Sequence, residues 1–322
     1  AGTVETISGA LQTYMSEALD TRGYETRGTD LHGYTNRCYP TNVIPSQVLN
    51  VTYYDDYDWI PATHAFSTAD AIDGTTRTAN SVAGMTTGTK TKVLGIETDQ
   101  WLTSVIYYDD DYNPIQTVSD LYPSGIEIVS NRHNFNGQVI QTKVKQVVDG
   151  VTYEYNKWLD YDAYGRLLKV RQRITGDPQN EVILAEYSYD DLGRIISKKI
   201  HGGKEETRQA YDIVGRNTEA VSPSFSYKIG YDKSLISGVA GRKDDLVSHI
   251  TWSNDATGEQ KAYVFAYDKL KQYLSATYYE KAGSAWTSGP KYKESVGSYD
   301  KAGNIVSLQR YDGTGALSHD YA

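Results

Sequence analysis

The sequence predicts an all-β fold, an extended antiparallel sheet assembled from repeated hairpins. Three observations predict it. A short frame recurs: Tyr161-Asp162-Ala163-Tyr164-Gly165-Arg166, Tyr189-Asp190-Asp191-Leu192-Gly193-Arg194 and Tyr211-Asp212-Ile213-Val214-Gly215-Arg216, with a looser copy at Tyr299-Asp300-Lys301-Ala302-Gly303-Asn304. Between frames, apolar and polar residues alternate. Val151, Tyr153 and Tyr155 face away from Thr152, Glu154 and Asn156, and Ile183, Ala185, Tyr187 and Tyr189 share a face. A period of two marks strands with two unlike faces. The aromatic set is also biased, with 29 Tyr against 4 Phe and 5 Trp. Tyr suits a half-buried pleated surface, where the ring packs and the hydroxyl stays bonded or wet.

Each place in the frame answers a need of a reversing strand. Asp at the first turn position accepts backbone N–H groups further on, as an Asx-turn. Gly at the fourth supplies a positive φ without a Cβ clash, as in a type I turn closed by a Gly bulge. Tyr covers the strand end before the turn, and an apolar residue after Gly-Arg starts the return strand. Arg reaches either its own Asp carboxylate or the carbonyls of a neighbouring copy, and the residues alone do not choose between them. Tyr161, Asp162, Gly165, Arg166, Tyr189, Asp190, Gly193, Arg194, Tyr211, Asp212, Gly215, Arg216, Tyr299, Asp300 and Gly303 are thus assigned a structural role in turns.

Along the chain, Ala10–Leu19 is a weak candidate for a short helix. Gly23, Gly28 and Gly33, with Tyr24 and Tyr34, suggest short strands or loops ending at Cys38-Tyr39-Pro40. Leu49–Tyr54 has strand composition. Residues 61–90 are rich in Thr, Ala, Ser and Gly and predict a long surface connection without a core of its own. Strands resume at Lys92-Val93-Leu94 and Trp101–Tyr108. From Tyr108 the frame takes hold, first as Tyr108-Asp109-Asp110-Asp111-Tyr112-Asn113 and then as His133-Asn134-Phe135-Asn136-Gly137-Gln138. Tyr231-Asp232 and Tyr267-Asp268 keep the dipeptide without the Gly, and Tyr311-Asp312-Gly313-Thr314-Gly315 closes the series. Steps of 20 to 36 residues from Tyr108 to Tyr299 lie in the range of repeat arrays. Gly202-Gly203 and Gly176-Asp177-Pro178 read as turns at the far ends of the hairpins. The organisation is a pre-repeat region over 1–107 and a repeat sheet over 108–322.

The length of 322 residues allows one large all-β unit or two ordinary domains. A formal net charge of -9 opposes nucleic-acid binding and adhesion to an anionic membrane. Cys38 is the only cysteine, so no internal disulfide forms. No apolar run is long enough to span a bilayer as a helix. The chain starts without Met and stops within strand-like Leu317–Ala322, and it reads as an internal fragment of a longer polypeptide. Its open strand edges predict poor solubility in isolation.

The chemistry-bearing residues do not assemble into a motif. His32, His64, His133, His201, His249 and His319 are far apart, without metal-ligand spacing. There is no Gly-x-Ser-x-Gly elbow, P-loop or dinucleotide fingerprint. Asp55, Asp56 and Asp58, and Asp109, Asp110 and Asp111, invite a calcium reading, but neither run has the spacing of an EF-hand loop, and turn capping accounts for them. Cys38 has no nearby His and reads as an incidental thiol. Carboxylates abound, and a facing pair is the arrangement a glycosidase would need. Trp59, Trp101, Trp252 and Trp286 suit packing or stacking on sugars. The reading is non-catalytic, with no cofactor, no metal, no nucleic-acid partner and no membrane insertion.

The copies of Tyr-Asp-x-x-Gly-Arg across residues 108–322 resemble the YD repeats of Rhs and teneurin-type proteins. Leu49–Asp55 and Thr87–Gly95 look like the region preceding the repeats in large Rhs proteins of Bacteroidota. The resemblance implies a sheet that spirals into a hollow shell, secreted or displayed at a bacterial cell surface. Such shells often enclose a C-terminal toxin, and other members serve as adhesins or in gliding motility. The implied partners are the rest of the same polypeptide, an enclosed cargo, and secretion or outer-membrane machinery. This sequence departs from the pattern in its Asp-Pro content: Asp177-Pro178 is the single pair and sits in a hairpin, so the autocleavage motif that closes the family's shells is missing. No toxin domain is evident either. The implied role is a segment of shell wall, with a glycan- or cell-surface-binding adhesin module as the alternative.

Overall fold

A chain that alternates in character and turns every few residues satisfies its backbone most simply by pairing each strand with the next. The computed structural model, which describes residues 24–38, 43–96, 98–178, 181–254 and 257–321, does this for most of its strands. Ala10–Leu19 and Tyr39-Pro40, for which the sequence makes suggestions, lie outside the described residues. The fold is all-β. By contacts the chain divides into two compact units, residues 1–159 with 172–181, and residues 160–171 with 182–322. Among the described residues no helix is long and apolar enough to cross a membrane.

The first unit holds β1 (Arg27–Leu31), β2 (Asn50–Asp55), β3 (Val82–Lys92), β4 (Trp101–Tyr108), β5 (Pro114–Asp120), β6 (Ile126–His133), β7 (Val139–Val148) and most of β8 (Val151–Tyr161). From β2 to β8 each strand pairs antiparallel with its successor. Val105, Tyr107 and Val118 form its buried centre, covered by Tyr57, Trp59, Ile60 and Phe66 from the segment between β2 and β3.

That segment corrects the expectation for residues 61–90. Its second part, from Val82, is strand β3, paired on both sides. Its first part closes one face of the sheet, and His64, Asp70, Ile72 and Thr78 are buried there. Small polar residues suffice because the sheet supplies the bulk. Tyr107 donates its hydroxyl to the His64 carbonyl at 2.8 Å, Gln116 binds Ser67 through both N–H and C=O, and Lys145 pairs with Asp70 at 2.8 Å.

The second unit contains the frame. After β9 (Leu167–Ile174), which both units share, come β10 (Val182–Tyr189), β11 (Ile195–Ile200), β12 (Glu205–Tyr211), β13 (Asn217–Val221), β14 (Phe225–Gly230), β15 (His249–Asn254), β16 (Glu259–Tyr267) and β17 (Tyr273–Ala282). β18 (Ala285–Ser288), β19 (Glu294–Tyr299), β20 (Ile305–Tyr311) and β21 (Leu317–Tyr321) complete it. β10 to β17 pair in sequence order. β17 then pairs with both β18 and β19, and β19 leads through β20 to β21. Packing is thinner than alternation alone suggests. Leu168, Val182, Leu184 and Ile196 keep 38–39% of their surface exposed.

Candidate functional site

The feature that organises the second unit is the row of frame turns. At Asp190 the backbone closes by Asp190 N–H to Arg194 C=O at 3.0 Å and Gly193 N–H to Asp190 C=O at 3.0 Å. Oδ1 of Asp190 accepts the N–H groups of Leu192 (3.0 Å) and Arg194 (2.9 Å), and Oδ2 accepts Arg194 Nε at 2.7 Å. Asp162 and Asp212 repeat this with Arg166 and Arg216. The strand entering each turn carries a bulge at the Tyr, between Ser188 and Tyr189 and between Ala210 and Tyr211. Gly165, Gly193 and Gly215 have φ of 78°, 82° and 95°. The Arg194 backbone N–H, working against partial burial and joined by the guanidinium, holds the Asp190 carboxyl below its ordinary value. Asn304 does the same for Asp300 through its side-chain amide and then its N–H.

Two frames without glycine close identically. Asp109 and Asp268 accept two N–H groups each, and Tyr112 (φ 61°) and Lys271 (φ 65°) stand in the left-handed place. Asn134 performs the aspartate's task with Gly137 in the turn.

Arg makes both contacts left open by the sequence. Besides its own Asp, Arg166 Nη1 donates to the Asp190 carbonyl at 3.4 Å, and Arg194 Nη1 to that of Asp212 at 3.5 Å. Each guanidinium also lies over the next frame's ring: Arg166 over Tyr189 at 4.7 Å, Arg194 over Tyr211 at 4.6 Å, Arg216 over Tyr231 at 4.3 Å. Each of those hydroxyls reaches back to the residue after the arginine, Tyr189 to Leu167 C=O (2.7 Å), Tyr211 to Ile195 C=O (2.9 Å) and Tyr231 to Asn217 C=O (3.3 Å). Tyr299 makes the same contact to Tyr273. Neighbouring hairpins are thereby clasped by side chains as well as by strand pairing.

The frame at Tyr231 is split. Eight residues, 233–240, separate Tyr231-Asp232 from Gly241-Arg242 where other frames have two. Arg242 still lies over Tyr267 at 4.9 Å, while its N–H, which in the other frames goes to the Asp carboxylate, here meets Tyr231 C=O. The detour is fastened from below by His249, which is fully buried. Leu235 N–H donates to His249 Nε2 at 2.8 Å. Because that nitrogen accepts, Nδ1 carries the proton and donates to Ser248 Oγ at 2.8 Å, and Ser248 donates on to Gly230 C=O. A Cβ on Gly230 would collide with the imidazole.

Elsewhere the residues with reactive potential are absorbed in packing. Asp55 caps Gly84 N–H, Asp56 binds Arg27, and Asp110 accepts Thr78 Oγ1. Cys38 lies against Glu25, and burial followed by that carboxylate pushes its thiol up, away from thiolate chemistry. Thr63, His64 and Asp120 are near each other (3.0 and 3.2 Å), but the Nε2 approach to Asp120 has no hydrogen-bond alignment. Trp59 stacks on Tyr53 at 3.8 Å, Trp101 packs on His32, and Trp252 packs among Tyr263 and Tyr278. Trp286 differs, since it stands in an open groove. The seating of each arginine over the next tyrosine, the Lys271 substitute and the split frame were missed from sequence, whereas Tyr112 was legible there as the residue in the glycine place. For the split frame the Gly241-Arg242 dipeptide was the available signal. No protein-family model matches this chain, and no curated protein matches it.

Proposed function

We propose that this chain is a non-catalytic wall segment of a secreted or surface-displayed Rhs-type protein of bacteria. In this reading its sheet continues into a hollow shell that encloses a toxin or other cargo, or displays it in competition or motility. The supporting observation is the clasp: the polar groups of the repeated frame are spent on joining one hairpin to the next. A carboxylate already holding two N–H groups and a guanidinium is a fastening, and its repetition extends a wall. The half-exposed apolar residues of β9, β10 and β11 fit a sheet with something to enclose. Partners would be the rest of the polypeptide, the cargo, and secretion or outer-membrane machinery. Electron microscopy of the protein as its cell makes it tests this: a curved β-wall around a lumen is expected, and a solid particle would overturn it. Polysaccharide hydrolysis lost on changing one carboxylate pair would overturn the non-catalytic part.

A second reading, an adhesin module for glycans at a cell surface, is favoured by the open groove beside Trp286.

A further inference from the structure

The groove crosses β14 to β18 on one face of the second unit and encloses about 300 Å³. Its floor follows the register. Ser226 pairs with Ser253, Ser253 with Gln260, and Lys281 with Trp286. Lys281 Nζ donates to Gln260 Oε1 at 2.6 Å, which joins the two halves of the row. Leu235, the residue whose N–H is held by His249, forms the opposite wall.

Three features define what fits. The first is charge. In a chain of net charge -9, this groove is lined by two lysines and no carboxylate. Lys228 is neutralised by Glu219 at 3.0 Å, while Lys281 has no carboxylate partner among the described residues. An unpaired ammonium at the rim of a groove favours an anion, because a carboxylate adds a Coulomb attraction between opposite charges that the bond to a neutral amide lacks. The second is the indole of Trp286, 5.8 Å from that ammonium and only partly covered. The third is a floor of hydroxyl and amide groups, matched to a ligand that both donates and accepts. A flat apolar face, many hydroxyls and a single negative charge describe one class of molecule. We propose that this groove binds the acidic end of a saccharide, with a pyranose ring on Trp286 and its carboxylate on Lys281. The volume is at the low end for small-molecule sites, which suits a chain terminus. A nucleic acid fits less well, since tracking a phosphate backbone needs a succession of cations and the groove has one unpaired.

This site rests on the adhesin reading, and the test separates the two. Methyl glucuronide, methyl glucoside and a short oligonucleotide are titrated into the protein as its cell makes it, with binding followed by saturation-transfer NMR. The glucuronide is expected to bind about tenfold more tightly than the glucoside. Lys281→Met should erase that preference and leave weak binding of both sugars. Trp286→Ala should remove both. Equal binding of the two sugars by the native chain, dependent on Trp286, would overturn the acidic specificity and leave the adhesin reading standing. No saccharide binding, or binding of the oligonucleotide alone, would overturn both. If Trp286→Ala unfolds the hairpin, the Lys281→Met comparison decides alone, because that side chain is exposed and its stem is retained.

Discussion

The turns at Asp190 and Asp268 occupy the same place in two hairpins of the second unit and close by the same backbone bonds, yet one contains Gly193 and Arg194 and the other Lys271 and Gln272. What they share is the aspartate with its two N–H donors. The side-chain oxygen that accepts two N–H groups, from Asp in these frames and from Asn at Asn134, therefore defines the frame, glycine lowers its strain, and arginine adds the link to the next hairpin. The split frame at Asp232 extends the comparison. With six extra residues it loses the tight turn and keeps the arginine seat, at the cost of a buried histidine to hold the detour.

The largest effect is expected at that histidine. His249→Ala would leave Leu235 N–H unpaired and a cavity under the detour, a loss of about 3 kcal/mol by denaturant unfolding. His249→Gln, which retains an acceptor, should lose less. Acid sharpens the point. Burial pushes the imidazole below its ordinary value, so it is neutral in the fold and takes up a proton more readily when unfolded. Stability from this group is whole above about pH 6.5 and falls as pH drops towards the lower folded value. The native chain should weaken across that window more than His249→Gln. Parallel pH profiles would show that the imidazole does not hold the detour as a neutral acceptor.

Gly193→Ala comes next. At φ of 82° an added Cβ meets nothing closer than Arg166 at 3.7 Å, so the penalty is backbone strain, about 1–2 kcal/mol. Lys271→Ala, at a position that already carries a Cβ, should change stability by a few tenths. Equal losses at the two sites would break the distinction between the frames.

Tyr211→Phe removes the hydroxyl, with its contacts to Ile195 C=O and Gln209 Oε1, and leaves the ring under Arg194. About 1 kcal/mol is expected. A neutral result in thermal unfolding would reduce the clasp to ring packing.

Such differences explain what the sequence made legible. Turn and strand follow from local rules, and the stretch Trp101–Tyr108 is strand β4 to the residue. Asp162, Asp190 and Asp212 were recognisable as caps because each bonds within four residues of itself. The clasp was hidden because Arg166 and Tyr189 lie 23 positions apart and meet only once strands pair. Residues 61–81 looked too small to build a core because a sequence does not show that Tyr107 and Gln116 will supply the missing bulk. The groove was equally hidden, since Ser226 and Trp286 belong to strands that register alone brings onto one face.

The smallest effect tests the reasoning most finely. If glycine serves only to relieve strain, Lys271→Gly should stabilise the protein. Removing the Cβ at φ of 65° returns about 1–2 kcal/mol. Against that stand the added freedom of glycine in the unfolded chain, about 0.5–1 kcal/mol, and the exposed bond from Lys271 Nζ to Asp244 C=O at 3.2 Å. The balance is a gain of about 0.5 kcal/mol, or roughly 1 °C in Tm, within reach of paired calorimetry. Tyr112→Gly should gain less, because it also gives up a ring and the hydroxyl bond to Ser81 C=O. A loss at Lys271 would mean that the two N–H bonds to Asp268 already hold the turn without measurable strain, and that glycine in the other frames serves the approach of the neighbouring arginine instead.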